Sequence, residues 1–261
     1  MSGKLKLDVK KTCFFFFDYD GTVRIGNEIP EVNRAALLNA QALGHKLILC
    51  TGRAQGGLAR DKYHLSIPWD GIICGGADLF YEGKCLRTQT VEKADALTWV
   101  GFGMRQRCRT IFEGQREIVC FDFDQHPEAF TMKERFEILR RVEEILKTNP
   151  ITKFTLSCVY PQQKKLPRTQ MHCVFHPTYT EVFSKGCDKG AAIKLFCELL
   201  GVPLSQCACF GDSMNDYAMF QVCPTGICMK NSPAALEEIA TYCAKAEYGV
   251  AEGLEWLLSR E

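Results

Sequence analysis

Residues 12–17 form a continuous apolar run that ends abruptly in Asp18-Tyr19-Asp20-Gly21-Thr22. A half-exposed strand alternates apolar and polar positions, and this run does not. It predicts a strand covered on both faces, as in a parallel sheet flanked by helices. The run is far shorter than the roughly 20 residues that a membrane-spanning helix needs.

The segments that follow keep the same rhythm. Pro30 precedes an amphipathic stretch, Glu31 to Leu43, which Gly44 closes. Proline near the start and glycine just past the end are helix boundary signals. Lys46 to Cys50 reads as a second buried strand, followed by Thr51-Gly52-Arg53 and a helical stretch near 54–64. Gly71 to Cys74 reads as a third strand. Strand, helix, strand, helix, strand is the order of a doubly wound, Rossmann-like parallel α/β sheet.

The middle of the chain reads differently. Helices are predicted over 92–107 and 127–147, and strands over 109–112, 117–123, 152–159 and 171–175. Hairpin pairing with fewer helices predicts an α+β unit. The first rhythm returns near residue 181, with helices from Lys189 and Asp216, a strand over 207–210, and further elements to Leu258. The expected organisation is a core built from 1–84 and 181–261, with an α+β unit inserted over 85–180.

In an open α/β sheet, ligands bind beyond the carboxyl ends of the strands. Three polar segments occupy such ends: Asp18 to Thr22, Thr51-Gly52-Arg53, and Gly211-Asp212-Ser213-Met214-Asn215-Asp216. Asp18, Asp20, Asp212 and Asp216 would gather negative charge at one sheet edge, and like charges repel unless a cation neutralises them. Carboxylate oxygens and water are the ligands Mg²⁺ prefers, and Mg²⁺ attracts phosphate. Gly21 and Gly52 would let backbone N–H groups approach phosphate oxygens, and Thr51 offers a hydroxyl. Asp18 could attack phosphorus and form an aspartyl phosphate. Asp20 could serve the leaving oxygen as general acid.

Each segment alone has a plainer reading: Asp and Gly suit turns, and Thr-Gly-Arg often starts a helix. Their joint occurrence, each after an apolar strand, resembles the motifs of the haloacid dehalogenase superfamily, in particular its Cof-type phosphatases with an α/β cap. The resemblance covers both ends of the chain. It implies Asp18 as nucleophile and Asp20 as general acid/base that lends its backbone carbonyl to Mg²⁺. It also implies Thr51 and Gly52 as phosphate-binding positions, and Asp212 with Asp216, the latter through water, as metal ligands. Asn215 matches a position that contacts phosphate or orients the nucleophile. The family's lysine falls in Ser184-Lys185-Gly186-Cys187-Asp188-Lys189-Gly190. Lys189, at a predicted helix start, fits better than Lys185. One departure is Gly75-Gly76-Ala77, where the family often carries Asn-Gly-Ala, so that substrate-facing amide is missing.

The resemblance makes the inserted unit a cap over the site, with Arg105, Arg107, Arg109, Lys164, Lys165 and Arg168 as candidate contacts. Phe121-Asp122-Phe123-Asp124 repeats the Asp-x-Asp spacing without Gly-Thr. It reads as an alternating stretch with its carboxylates in water.

The expected activity is a Mg²⁺-dependent phosphatase acting on small phosphate monoesters such as sugar phosphates. A phosphomutase using the same aspartates and a non-catalytic phosphometabolite-binding protein are the alternatives. A formal net charge of +1 gives no sign of a nucleic-acid or membrane surface. No apolar segment resembling a signal peptide follows the lysine-rich start, so a cytoplasmic location is expected, as a monomer or homodimer. The 15 cysteines include no C-x-x-C pair, and they read as reduced, mostly core residues.

Overall fold

The computed structural model describes residues 7–126, 129–159 and 161–259. In chain order its elements are β1 (Phe14–Phe17), α1 (Glu31–Ala42), β2 (Lys46–Thr51), α2 (Gln55–Leu58), β3 (Gly71–Cys74), β4 (Asp78–Tyr81), β5 (Lys84–Thr88), α3 (Lys93–Gln106), β6 (Thr110–Gly114), β7 (Ile118–Phe121), α4 (Met132–Thr148), β8 (Ile151–Leu156), β9 (His172–Phe175), β10 (Thr180–Phe183), α5 (Lys189–Leu200), β11 (Cys207–Gly211), α6 (Tyr217–Val222), β12 (Thr225–Cys228), α7 (Ala234–Ile239), β13 (Tyr242–Cys243) and α8 (Gly249–Leu258). They form two compact units. One comprises the chain up to Gly52, Asp61–Arg87 and the chain from Asp188 onward; the other comprises Arg53–Arg60 and Thr88–Cys187.

The first unit is built on an eight-stranded sheet of order β13-β12-β11-β1-β2-β3-β4-β5. It is parallel from β13 to β3, and β4 runs antiparallel to β3. The expected doubly wound α/β sheet is therefore the one observed. β1 lies between β11 and β2, which explains its composition. Phe14 and Phe16 enter a cluster with Phe196 and Ile193 of α5. Phe15 and Phe17 point the other way and meet Phe210, at ring centroid distances of 6.4 and 4.5 Å. α8 covers that second face so closely that a Cβ on Gly253 would stand 2.9 Å from the Phe210 ring. Fully burying each such aromatic contributes roughly 1.5–3 kcal/mol, which fixes this strand at the centre.

The second unit is a five-stranded antiparallel sheet, β7-β6-β8-β10-β9, backed by α3 and α4. Its core gathers Trp99, Phe102, Phe112, Val142, Phe154 and Val182. α4 starts at a capping box: Thr131 accepts from the Glu134 N–H, and the Glu134 side chain accepts from the Thr131 N–H. That motif sets the helix start at Met132 rather than near 127, a position outside the described residues.

Other boundaries differ for physical reasons. β10, at Thr180–Phe183, pairs with β8 and β9, so the inserted sheet continues past residue 180. The helix expected near 54–64 is instead the short α2 and a separate 3₁₀ turn over Tyr63–Ser66. Gly56 and Gly57 are poor helix formers, and the Asp61 carboxylate accepts the Tyr63 N–H at 2.9 Å, favouring a turn. Gly56 is needed for packing, since a Cβ there would stand 2.7 Å from the Gly114 carbonyl oxygen. The β4–β5 hairpin was not expected. Its turn uses Glu82 and Gly83 at φ +48° and +74°, and glutamate carries little signal for such a turn. Among the described residues no helix is long and apolar enough to cross a membrane.

Candidate active site

Four segments of the first unit converge at the carboxyl edge of its parallel sheet. β1 delivers Asp18, whose N–H continues the ladder to the Phe210 carbonyl at 2.9 Å. The chain then turns back on itself. The Arg24 N–H reaches the Tyr19 carbonyl at 2.8 Å and the Gly21 N–H reaches the Arg24 carbonyl at 2.9 Å. Gly21 takes φ +92°, and a Cβ there would collide with Asp212 Oδ2 at 2.5 Å. Only glycine suits both the backbone angle and the space.

β11 ends at Gly211 and leads into Asp212 to Asp216. Asp216 organises this loop. Its Oδ2 accepts the N–H groups of Asp212 and Ser213 at 3.0 and 3.1 Å. Its Oδ1 accepts from Lys189 Nζ at 2.6 Å. Lys189 opens α5, behind the N-cap Asp188, and its ammonium also donates to Asp18 and lies 3.5 Å from Asn215 Oδ1. Lys185 belongs to the other unit, where it is exposed and donates to Gln170 at 3.0 Å.

Asp18, Lys189 and Asp216 are all buried. Burial, then the neighbouring Asp216, raises the Asp18 pKa well above the ordinary carboxylate value, although Lys189 opposes the shift. Burial and Asp216 also raise the Asp212 pKa. For Lys189, burial disfavours the charge, but Asp18 and Asp216 outweigh it and raise the pKa. One ligand oxygen from each of Asp18, Asp212 and Asp216 lies within 4.8 Å of the others. Fully ionised, these three carboxylates against one ammonium leave two negative charges. A hard divalent cation with oxygen ligands fits that donor set.

Thr51 is buried at the end of β2, and its carbonyl accepts the Gly75 N–H at 2.8 Å. Gly52 adjoins Asn215: a Cβ on it would stand 3.9 Å from Asn215 Nδ2. Asn215 Oδ1 accepts from the Ser213 hydroxyl at 2.8 Å, which fixes the amide orientation. Asp20 is more exposed than Asp18, and its Oδ1 accepts from Arg24 at 2.9 Å.

The structure therefore gathers Asp18, Lys189, Asp212, Asn215 and Asp216, with Gly52 beside Asn215. Sequence reasoning gave no role to Thr22, Ser213 or Arg24. The Thr22 hydroxyl donates to Asp212 Oδ1 at 2.9 Å. Its place directly after Gly21 was the available signal. The look-alike pair Asp122 and Asp124 is exposed, alternating with buried Phe121 and Phe123. Among the cap candidates, Arg109 pairs with Asp122 at 2.9 Å.

The family model for haloacid dehalogenase-like hydrolases matches residues 15–254. YxeH of Bacillus subtilis (strain 168) is 27% identical over 92% of this chain and 96% of that protein. Phosphatase YwpJ of the same organism is 25% identical over 92% of this chain and 98% of its own length. Two solved structures share the fold. The subclass IIB sugar phosphatase BT4131 superposes with a TM-score of 0.75 at 21% identity, covering 94% of this chain and 98% of its own. BT1666 from Bacteroides thetaiotaomicron gives 0.79 at 18% identity, covering 98% and 99%.

Proposed function

This chain belongs to the haloacid dehalogenase-like hydrolases, and within that family we propose that it hydrolyses small phosphate monoesters through an aspartyl phosphate on Asp18. The observation that carries this reading is a buried carboxylate at the end of the central strand, held by Lys189 and grouped with Asp212 and Asp216. Such a carboxylate is desolvated and oriented, the two requirements for in-line attack.

In the first half-reaction an Asp18 carboxylate oxygen bonds to phosphorus and the ester P–O bond breaks. The departing oxygen takes a proton from Asp20. In the second, water attacks the same phosphorus and gives a proton to Asp20, and the Asp18–phosphorus bond breaks to release inorganic phosphate. Lys189 steadies charge on the phosphoryl group and on Asp18. Thr51, Gly52 and Asn215 supply hydroxyl, N–H and amide donors to phosphate oxygens.

Mg²⁺ is the proposed cofactor. Asp18, the Asp20 carbonyl and Asp212 would hold it directly, and Asp216 through water, since both Asp216 oxygens already accept hydrogen bonds. When bound it would neutralise the excess negative charge and draw phosphate to the site. The unit built from Thr88–Cys187 is proposed as the cap that selects the leaving alcohol. The names of YwpJ and BT4131 support a phosphatase, and the latter favours a sugar phosphate or similar metabolite as substrate.

The test is phosphate release from a panel of small phosphate esters, with Mg²⁺ or EDTA, for wild type and Asp18→Asn. Metal-dependent release that the variant loses is expected. Release unaffected by the substitution would remove the aspartyl-phosphate reading. A positional isomer without free phosphate would turn the assignment to a mutase.

A further inference from the structure

Arg24 follows the first aspartate segment, and its guanidinium meets three side chains. Nη1 donates to Asp20 Oδ1 at 2.9 Å, Nη2 donates to Asn27 Oδ1 at 3.1 Å, and Nε lies 3.3 Å from Asp61 Oδ2. The residue is also pinned through its backbone, which exchanges hydrogen bonds with Tyr19 and Gly21. An exposed ion pair four residues apart normally adds little to stability. This one is built differently at its far end. Asp61 is 7% exposed and the Arg24 side chain 18%, whereas Asp20 is 46% exposed. Asp61 is itself fixed, since its other oxygen accepts the Tyr63 N–H. The arrangement is a charge bridge: Nε faces the buried Asp61 carboxylate as an ion pair without a directed hydrogen bond, while Nη1 donates to the accessible Asp20 carboxylate.

We propose that Arg24, braced by Asp61, is a positioning residue that sets the orientation of Asp20 for proton transfer to the leaving group. The inference rests on the reading of Asp20 as the general acid. A planar fork grips by direction as well as charge. Here Nη1 donates to Asp20 Oδ1. The guanidinium itself neither gives nor takes a proton at working pH. Arg24 therefore acts only through Asp20, by narrowing the orientations of its carboxylate.

The consequence depends on the leaving group. An alkyl phosphate expels a strongly basic alkoxide and needs its proton in the transition state. 4-Nitrophenyl phosphate expels a stable phenolate and does not. General acid catalysis contributes about 10²–10⁴-fold where it is needed, and a loosely held acid forfeits part of that factor. The discriminating quantity is kcat/KM, which covers the steps up to departure of the leaving group.

The experiment compares wild type, Arg24→Met, Arg24→Lys, Asp61→Asn and Asp20→Asn on 4-nitrophenyl phosphate and on one alkyl phosphate that the wild type hydrolyses. Arg24→Met should lose at least about tenfold in kcat/KM on the alkyl ester and under about threefold on the aryl ester. Arg24→Lys keeps the charge without the fork and should recover part of the loss. Asp61→Asn should show the same selectivity in weaker form, which separates a lost charge bridge from a misfolded loop. Equal losses on both esters, or none on either, would overturn the role of Arg24. Asp20→Asn without selective loss on the alkyl ester would instead overturn the assignment of Asp20 as general acid, and Asp18→Asn would still report on the nucleophile.

Discussion

Each unit buries a lysine between two carboxylates, and the two clusters are built for different ends. Lys189 lies between Asp18 and Asp216 in the first unit. Lys153 lies between Glu113, at 3.5 Å, and Glu181 in the second. Both lysines are nearly inaccessible, and in both, burial works against the ammonium while the carboxylates raise its pKa. The Lys153 cluster sits in the middle of a regular sheet. Glu113 is directly opposite Lys153 in the β6–β8 register, and Phe183 directly opposite in β10, with its ring 4.9 Å from Nζ. Every carboxylate there has a further partner. Thr155 donates to Glu113 at 2.5 Å and His176 meets Glu181 at 2.9 Å. The Lys189 cluster sits on loops beyond strand ends and includes a third aspartate, Asp212, and among the described residues no second lysine pairs with it. Buried charge does not by itself mark a site. Charge left over at the open end of a parallel sheet does.

The largest effect that would break this comparison is on turnover. Asp18→Asn should reduce phosphate release by roughly three orders of magnitude or more, as loss of a nucleophile does. It should leave the fold at least as stable, because it removes a carboxylate that burial disfavours and Lys189 keeps Asp216 as partner. Activity assays alongside thermal unfolding check both halves. A large drop in stability would put the two clusters in one class.

Lys153→Met should do the reverse. It removes the ammonium from between Glu113 and Glu181, which are 12% and 13% exposed. Breaking a buried ion pair by removing one partner costs about 3–5 kcal/mol, and denaturant unfolding of the variant should show a loss of that order.

The third effect is metal-linked. Mg²⁺ at about 100 times its dissociation constant should stabilise the wild type by about 2.7 kcal/mol. Asp212→Asn should lose most of that increment. Lys153→Met should keep it. A wild type whose melting temperature ignores Mg²⁺ would remove the metal from the Lys189 cluster.

Much of the first cluster was legible in the sequence, for a physical reason. A strand buried on both faces has to be apolar throughout, so the first polar residue after it, Asp18 or Asp212, marks the strand end where ligands bind. Lys189 was legible through the family resemblance, which places this lysine at a helix start; the structure adds that Asp188 caps α5 by accepting the Ala191 N–H at 2.8 Å. Arg24 was not, because its role depends on Asp61, which is distant in the chain and belongs to no periodic pattern. The Lys153 cluster also went unread. Its glutamates and lysine lie on three strands, and only the register brings them together. Asp122 and Asp124 show the limit of spacing alone, since the same Asp-x-Asp pattern follows a strand there but stays exposed, with Asp122 paired to Arg109.

The smallest effect concerns pH, and its sign distinguishes the clusters. Glu181 is lowered below its ordinary value of 4.5, because Lys153 and His176 outweigh the burial that pushes the other way. A carboxylate held lower in the fold than in the open chain stabilises the fold above the open-chain value. That contribution disappears as the pH falls through the folded value. Asp18 is raised, chiefly by burial and Asp216. Its ionisation therefore opposes folding, and the relative stability present below 3.8, the ordinary aspartate value, is lost as the pH climbs through the raised one. In EDTA, Glu181→Gln should flatten the loss of stability on acidification, whereas Asp18→Asn should flatten the loss on going up in pH from the carboxylate range. Each unit of pKa difference corresponds to about 1.4 kcal/mol, within reach of denaturant curves collected at several pH values. Both substitutions flattening the same side would mean that Asp18 is held as firmly ionised as Glu181. The difference between a charge the fold satisfies and one it leaves for a ligand would then have to rest on Asp212 alone.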